Sequence, residues 1–290
     1  MLKRLMIVVS AFCCAHLSTA QPAHPLVSSG QGNILLGIAD TVHSEVLAEK
    51  RVLNIYLPDG YFTDTTAKYP VIYLLDGGIA EDFVHLTGLL KYFSNPWVSQ
   101  SPGAILVGIE NVNRRRDFTF ASSDTAAITA MGFDKNAFQQ AGASARFISF
   151  MEKELQPYIH TRYRTNADKT IIGESLAGLL ATEILLKKTA LFNRYIIVSP
   201  SLWWGGGSLL TGPVALPDQH DGKPLKVYIG ASNKAEDSTL YNHAQQLALL
   251  LSGTKLSKEQ VYFDYLPAEQ HATILHQAVY NALKWLYQKK

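Results

Sequence analysis

Thr170-Ile171-Ile172-Gly173-Glu174-Ser175-Leu176-Ala177-Gly178-Leu179 passes from a β-branched run, through small residues, into an apolar run rich in leucine and alanine. Thr and Ile suit a pleated strand and Leu and Ala favour helix, so the change of state falls within residues 173–177. A strand that turns directly into a helix presses its last backbone atoms against the first helical turn. Positions two before and two after the tip must then be small, and they are Gly173 and Ala177. Ser175 is the tip, with its hydroxyl displayed outward. The plainer alternative is an ordinary strand-to-helix turn with Ser175 as N-cap.

Working outward, short β-branched or aromatic runs recur at 52–57, 71–75, 104–109, 195–199, 225–229 and 261–266. Most are continuously apolar, as strands covered on both faces are. Helical spacing lies between them: Phe147, Met151, Leu155 and Tyr158 in one segment, Leu240, Ala244, Leu247 and Leu251 in another, closed by Gly253. The alternation predicts an α/β fold with a mainly parallel central sheet flanked by helices on both faces. Ligands in such sheets bind beyond the carboxyl ends of the strands. Residues 121–142 and 201–222 fit neither pattern and are expected to be long, substrate-facing loops.

The first 20 residues read as an export signal: Lys3 and Arg4, an apolar stretch from Leu5 to Leu17, then Ser18-Thr19-Ala20 at a cleavage site. The stretch is too short to span a bilayer, so no retained anchor is expected. The expected mature chain, 21–290, is a single domain in the periplasm or outside the cell. Cys13 and Cys14 both fall in the leader, which leaves no disulfide framework and no cysteine nucleophile. Loss of Lys3 and Arg4 from a formal net charge of +2 brings the mature chain near neutrality, so nucleic acid is not an expected partner.

A serine hydroxyl needs a positioned base, usually His. The strand-turn-helix around Ser175 has the form of a nucleophile elbow, although alanine replaces the second glycine of G-x-S-x-G. Chain order in that architecture puts the base after the last strand, where Pro267-Ala268-Glu269-Gln270-His271-Ala272-Thr273 offers His271. The acid follows the preceding strand, in Gly230-Ala231-Ser232-Asn233-Lys234-Ala235-Glu236-Asp237. Glu236 is preferred to Asp237, which has a competing use as N-cap before Leu240. A Ser-His pair without an acid is the alternative. The remaining histidines show no metal-ligand spacing, so neither metal nor cofactor is expected.

Several segments together resemble the esterase branch of the α/β-hydrolases that includes siderophore (enterochelin-type) esterases, esterase D and mycolyl transferases. They are RVLNIYLPDGY (51–61), YPVIYLLDGG (69–78), GAILVGIENVNRRRD (103–117), GESLAG (173–178), SPSLWW (199–204) and the His271 segment. The resemblance implies ester hydrolysis through an acyl-enzyme, with a siderophore lactone as the favoured small-molecule substrate. It also implies an oxyanion hole from the N–H of Leu176 and of Gly77 or Gly78, and substrate contacts from Arg114 and Arg116, for which a solvated or salt-bridged loop is the alternative, and from an aromatic wall of Trp203 and Trp204, for which packing over the sheet end is the alternative. One departure is Asn233, at a position where relatives carry Glu or Asp. The competing readings are an acyltransferase with the same nucleophile and a binding module that kept the fold.

Overall fold

Continuous apolar runs can be buried only at the centre of a layered structure, and there they lie. In the computed structural model, which describes residues 34–124, 126–220 and 222–288, the strands are β1 (Ile38–Ser44), β2 (Glu49–Tyr56), β3 (Tyr69–Leu74), β4 (Ile105–Ile109), β5 (Thr165–Glu174), β6 (Arg194–Val198), β7 (Gln219–His220), β8 (Lys223–Pro224), β9 (Lys226–Ala231) and β10 (Val261–Tyr265). All but β7 and β8, which pair only with each other, form one sheet in the order β1-β2-β4-β3-β5-β6-β9-β10. Within it β2 alone runs against the rest. The compact body is Leu36–Lys290. The expected export segment, with Cys13 and Cys14, and His24 lie outside the described residues.

The helices are α1 (Phe83–Ser94), α2 (Arg114–Phe118), α3 (Ala126–Ala130), α4 (Ser144–Phe150), α5 (Gln156–Arg162), α6 (Leu176–Lys187), α7 (Ser238–Ser252) and α8 (Ile274–Tyr287). Side chains alternate across the sheet with period two. Ile72, Leu74, Leu106, Ile172 and Ile196 meet Leu86, Leu90 and Phe93 of α1 and Ala278, Val279 and Ala282 of α8 on one face. Val71, Tyr73, Val107, Ile171 and Ile197 meet Phe147, Leu180, Ile184 and Leu247 of α4, α6 and α7 on the other. The expected two-faced, mainly parallel sheet is the one observed. Burial of each large side chain on α8 stabilises the docked helix by about 2 kcal/mol, which pins the loop immediately before it.

The two stretches expected as long loops carry structure. Residues 121–142 hold α3 and a 3₁₀ turn at Lys135–Phe138, and 201–222 hold the 3₁₀ stretch Trp204–Leu210, bent where Gly205, Gly206 and Gly207 take φ of 60°, 65° and 76°. They share one aromatic cluster, with Phe133 stacked on Trp203 at 5.7 Å and Phe138 on Trp204 at 5.4 Å. No described helix is long and apolar enough to cross a membrane.

Candidate active site

β5 ends at Glu174 and α6 starts at Leu176, so Ser175 alone makes the turn, with φ 59° and ψ −119°. A Cβ on Gly173 would stand 2.4 Å from the Ala177 carbonyl oxygen, which accounts for the glycine two residues before the tip. One on Gly178 would stand 3.0 Å from Val198 O, so α6 rests directly on β6 there. The Ser175 N–H donates to Val198 O at 3.0 Å. On either side, Asp76 after β3 and Ser199 after β6 also hold positive φ, 54° and 37°. Three neighbouring strands thus end in side-chain-bearing residues at positive φ, a conformation disfavoured for L-residues and found where surrounding structure imposes it.

His271 reaches the same point from the loop between β10 and α8. Its Nε2 lies 3.1 Å from Ser175 Oγ. Burial holds the imidazole pKa below its ordinary value; the Asp237 and Glu236 charges oppose that fall and Arg114 adds to it. Neither carboxylate meets the other ring nitrogen. Glu236 Oε2 instead accepts the backbone N–H of His271 at 2.7 Å, Asp237 Oδ1 caps α7 by accepting from Leu240 N at 3.0 Å, and Nδ1 is buried without a partner. The preference for Glu236 as an acid bound to Nδ1 is therefore not met by this geometry. Asn233, at the departing position, ties the loop down by donating from Nδ2 to Pro267 O at 2.8 Å.

Of the expected oxyanion donors, Leu176 offers the first N–H of α6, which has no acceptor inside the helix. Gly77 is committed elsewhere, since its N–H donates to Ile109 O at 3.0 Å. A Cβ there would stand 2.4 Å from Gly108 Cα, so this glycine serves the close approach of two strand ends. Gly78 is buried, and its N–H donates to the exposed Glu81 carboxylate at 2.7 Å. Glu174 is pushed up to about 8 by burial and by Asp82, against the pull of Arg114.

The arginine run separates as α2 turns. Arg114 pairs through Nε with Asp76 Oδ1 at 2.7 Å and donates to Glu174 O at 3.1 Å, at the edge of the elbow. Arg115 is exposed and lies over Phe138 at 5.1 Å. Asn113, Arg114, Arg115, Gln139 and Gln140 line a polar cavity of about 370 Å³. Arg116, expected to bind substrate, turns inward to bind Glu49 at 2.6 Å and Asp117 at 2.7 Å, because those carboxylates and the fully buried Arg51 form a charged core there. Trp203 and Trp204 are 5% and 4% exposed, so both pack the aromatic cluster rather than form an open wall. A larger cavity, about 750 Å³, opens at the start of β5, the end remote from Ser175.

Ser201 was not singled out by sequence, yet its Oγ lies 3.2 Å from Ser175 Oγ. The available signal was topological: β6 lies beside β5, so the residues just past β6 in SPSLWW fall against the tip of the elbow.

A family described as "Putative esterase" matches residues 44–280. The ferri-bacillibactin esterase BesA of Bacillus subtilis is 26% identical over 253 residues, 82% of this chain and 85% of its own. The siderophore triacetylfusarinine C esterase of Aspergillus fumigatus is 22% identical over 249 residues, 76% of this chain and 82% of the fungal one. The structure of an IroE-like serine hydrolase from Shewanella oneidensis is similar at TM-score 0.74 and 29% identity, covering 87% of this chain and 80% of that one.

Proposed function

The chain belongs to this esterase family, and we propose that it is an exported serine hydrolase that cleaves carboxylic esters through Ser175 and His271, with siderophore lactones as its substrate class. The observation that carries the reading is the 3.1 Å approach of His271 Nε2 to a serine hydroxyl held at positive φ on a strand-to-helix turn. In the first step His271 Nε2 takes the Ser175 proton as Oγ attacks the ester carbonyl. The carbonyl oxygen becomes an alkoxide that accepts from Leu176 N–H and, once Glu81 swings aside, from Gly78 N–H. Donors placed for the alkoxide are worth a few kcal/mol each. Collapse expels the alcohol, which receives the proton from His271, and water repeats the sequence on the acyl-enzyme. Glu236 and Asp237 act here through their field on the imidazolium.

The substrate class draws support from the relatives, two of which are named as siderophore esterases. It also draws on Arg115 and the amides around it, since a guanidinium fork suits phenolate and carboxylate oxygens.

Because His271 must be neutral to act as base, kcat/KM is expected to rise with pH along a limb whose midpoint lies below 6.5, the direction in which burial moves this imidazole. A pH profile with a p-nitrophenyl ester reads it; a midpoint above 6.5 would contradict the buried, neutral base.

The function itself is tested by treating the protein with a fluorophosphonate probe and mapping the adduct by mass spectrometry. Label on the Ser175 peptide, with conversion of a trilactone siderophore to linear fragments, is the expected result. An unlabelled, well-folded protein without esterase activity would overturn the hydrolase reading. Labelling with turnover of simple esters and no cleavage of lactones would overturn the substrate class alone.

A further inference from the structure

We propose that Glu236, besides its field on the imidazolium, is a positioning residue that works through the main chain: by accepting the backbone N–H of His271 it fixes where the imidazole stands against Ser175, and its reach matters more than its charge. The inference rests on the reading of Ser175 and His271 as the reacting pair.

In a triad the acid grips the base by its ring, through Nδ1. Here Nδ1 is buried without a partner. The 3.1 Å separation of Nε2 from Ser175 Oγ therefore depends on where the loop carries residue 271. The hydrogen bonds of that loop show how it is held. β9 and β10 end side by side, with Ala231 paired to Tyr265, and the chain beyond β10 stays stitched to the chain beyond β9. Leu266 N–H donates to Ala231 O at 2.9 Å, Asn233 N–H to Glu269 O at 2.8 Å, and Asn233 Nδ2 to Pro267 O at 2.8 Å. The last stitch is the 2.7 Å bond from His271 N–H to Glu236 Oε2, and of these it alone falls on the residue that carries the base.

Glu236 is placed for this by its own turn. Its N–H and that of Asp237 both donate to Asn233 O, at 3.1 and 3.2 Å, and Asp237 Oδ1 caps α7. The backbone on both sides of Glu236 is thus fixed while its side chain extends to the facing loop. In that loop the N–H groups of Thr273 and Ile274 donate to Gln270 O at 3.1 and 3.0 Å, which closes the turn into α8. His271 lies inside the turn, before the helix begins, and among the described residues its N–H meets no backbone acceptor.

The carboxylate of Glu236 is exposed. Facing water, its charge reaches the imidazole through a screened field, whereas its hydrogen bond acts at contact and holds a distance. A displacement of about 1 Å between reacting groups can cost about a hundredfold in rate, so one bond to the main chain of the base has an effect beyond its own strength. Only Oε2 is engaged among the described residues, so an amide can present the same acceptor.

Three substitutions separate reach from charge. Glu236→Gln keeps the acceptor and removes the charge, Glu236→Asp keeps the charge on a side chain one methylene shorter, and Glu236→Ala removes both. With a p-nitrophenyl ester on the plateau of the pH profile, the Gln variant is expected to hold kcat within about threefold of wild type, and the Asp and Ala variants to lose about tenfold with KM unchanged. A Gln variant that falls as far as Ala while Asp holds would make the charge decisive and overturn the proposal, as would wild-type kcat in the Ala variant. Amide exchange at His271 in ¹⁵N-histidine-labelled protein reads the same bond without turnover: slow in wild type and Gln, about tenfold faster in Asp and Ala. Equal exchange in wild type and Ala overturns the role of Glu236 even if Ser175 takes no probe. Exchange slowed in wild type and Gln, in a protein without esterase activity, supports the grip on His271 and counts against the hydrolase reading alone.

Discussion

Ser175→Ala is expected to lower kcat/KM by about 10⁴- to 10⁶-fold, His271→Ala by nearly as much, and the double variant by no more than the worse of the two. In the proposed mechanism the two side chains form one device. Without the imidazole, the Ser175 hydroxyl keeps its proton and is a weak nucleophile at neutral pH; without the hydroxyl, the base has nothing to activate. What survives in every variant is the contribution of the Leu176 donor and of substrate binding, a residue of rate that neither substitution touches. Kinetics of the two single variants and the double, on the same ester, measure the coupling. Independent losses that multiply, or a His271→Ala protein that retains most of its activity, would separate the two residues and contradict the mechanism.

The largest effect on stability is expected at Asp117, far less conspicuous in the sequence. Its carboxylate is 2% exposed and pairs with Arg51, 1% exposed, while also accepting from Arg116 at 2.7 Å. Asp117→Ala leaves the buried Arg51 guanidinium with Glu49 alone, a partner that Arg116 already shares. Stranding a buried charge in this way costs about 3–5 kcal/mol, or a fall of roughly 10 °C in melting temperature for a body of this size. Replacing Arg51 and Asp117 together with Met and Leu is expected to restore most of that loss, since an apolar pair requires no desolvation of charge. Thermal melts of the single and double variants check both statements. A single variant within 2 °C of wild type would show that the network carries little of the stability.

The parts of the fold that the sequence displayed are those in which burial leaves a local pattern. Ile105–Ile109 and residues 195–198 are buried on both faces and read as unbroken apolar runs. By contrast β1 is an edge strand whose residues are mostly exposed or half-buried, so Ile38–Ser44 carries no strong alternation that would mark it as a strand. At the site, Ser175 and His271 were legible because a tight turn needs small neighbours and because chain order fixes the last loop. The arginines were not, since successive residues of a helix point about 100° apart. On α2 that rotation alone sends Arg114 to Asp76, Arg115 to Phe138 and Arg116 into the core. Glu236 and Ser201 depend on which loops meet across the sheet, information carried by strand order rather than by any window of sequence.

Asp76, Ser175 and Ser199 bear on how such a protein can evolve. Glycine would occupy each of those backbone positions at less cost, by about 1 kcal/mol apiece, and selection for heat resistance alone would therefore drift toward glycine at all three. Each replacement removes a side chain in use: the partner of Arg114, the proposed nucleophile beside His271, and the hydroxyl that contacts Ser232. A lineage moving to hotter surroundings has to find its added stability elsewhere, in the charged core, the helix faces or the loops, and these three positions should resist change while the rest of the chain adapts.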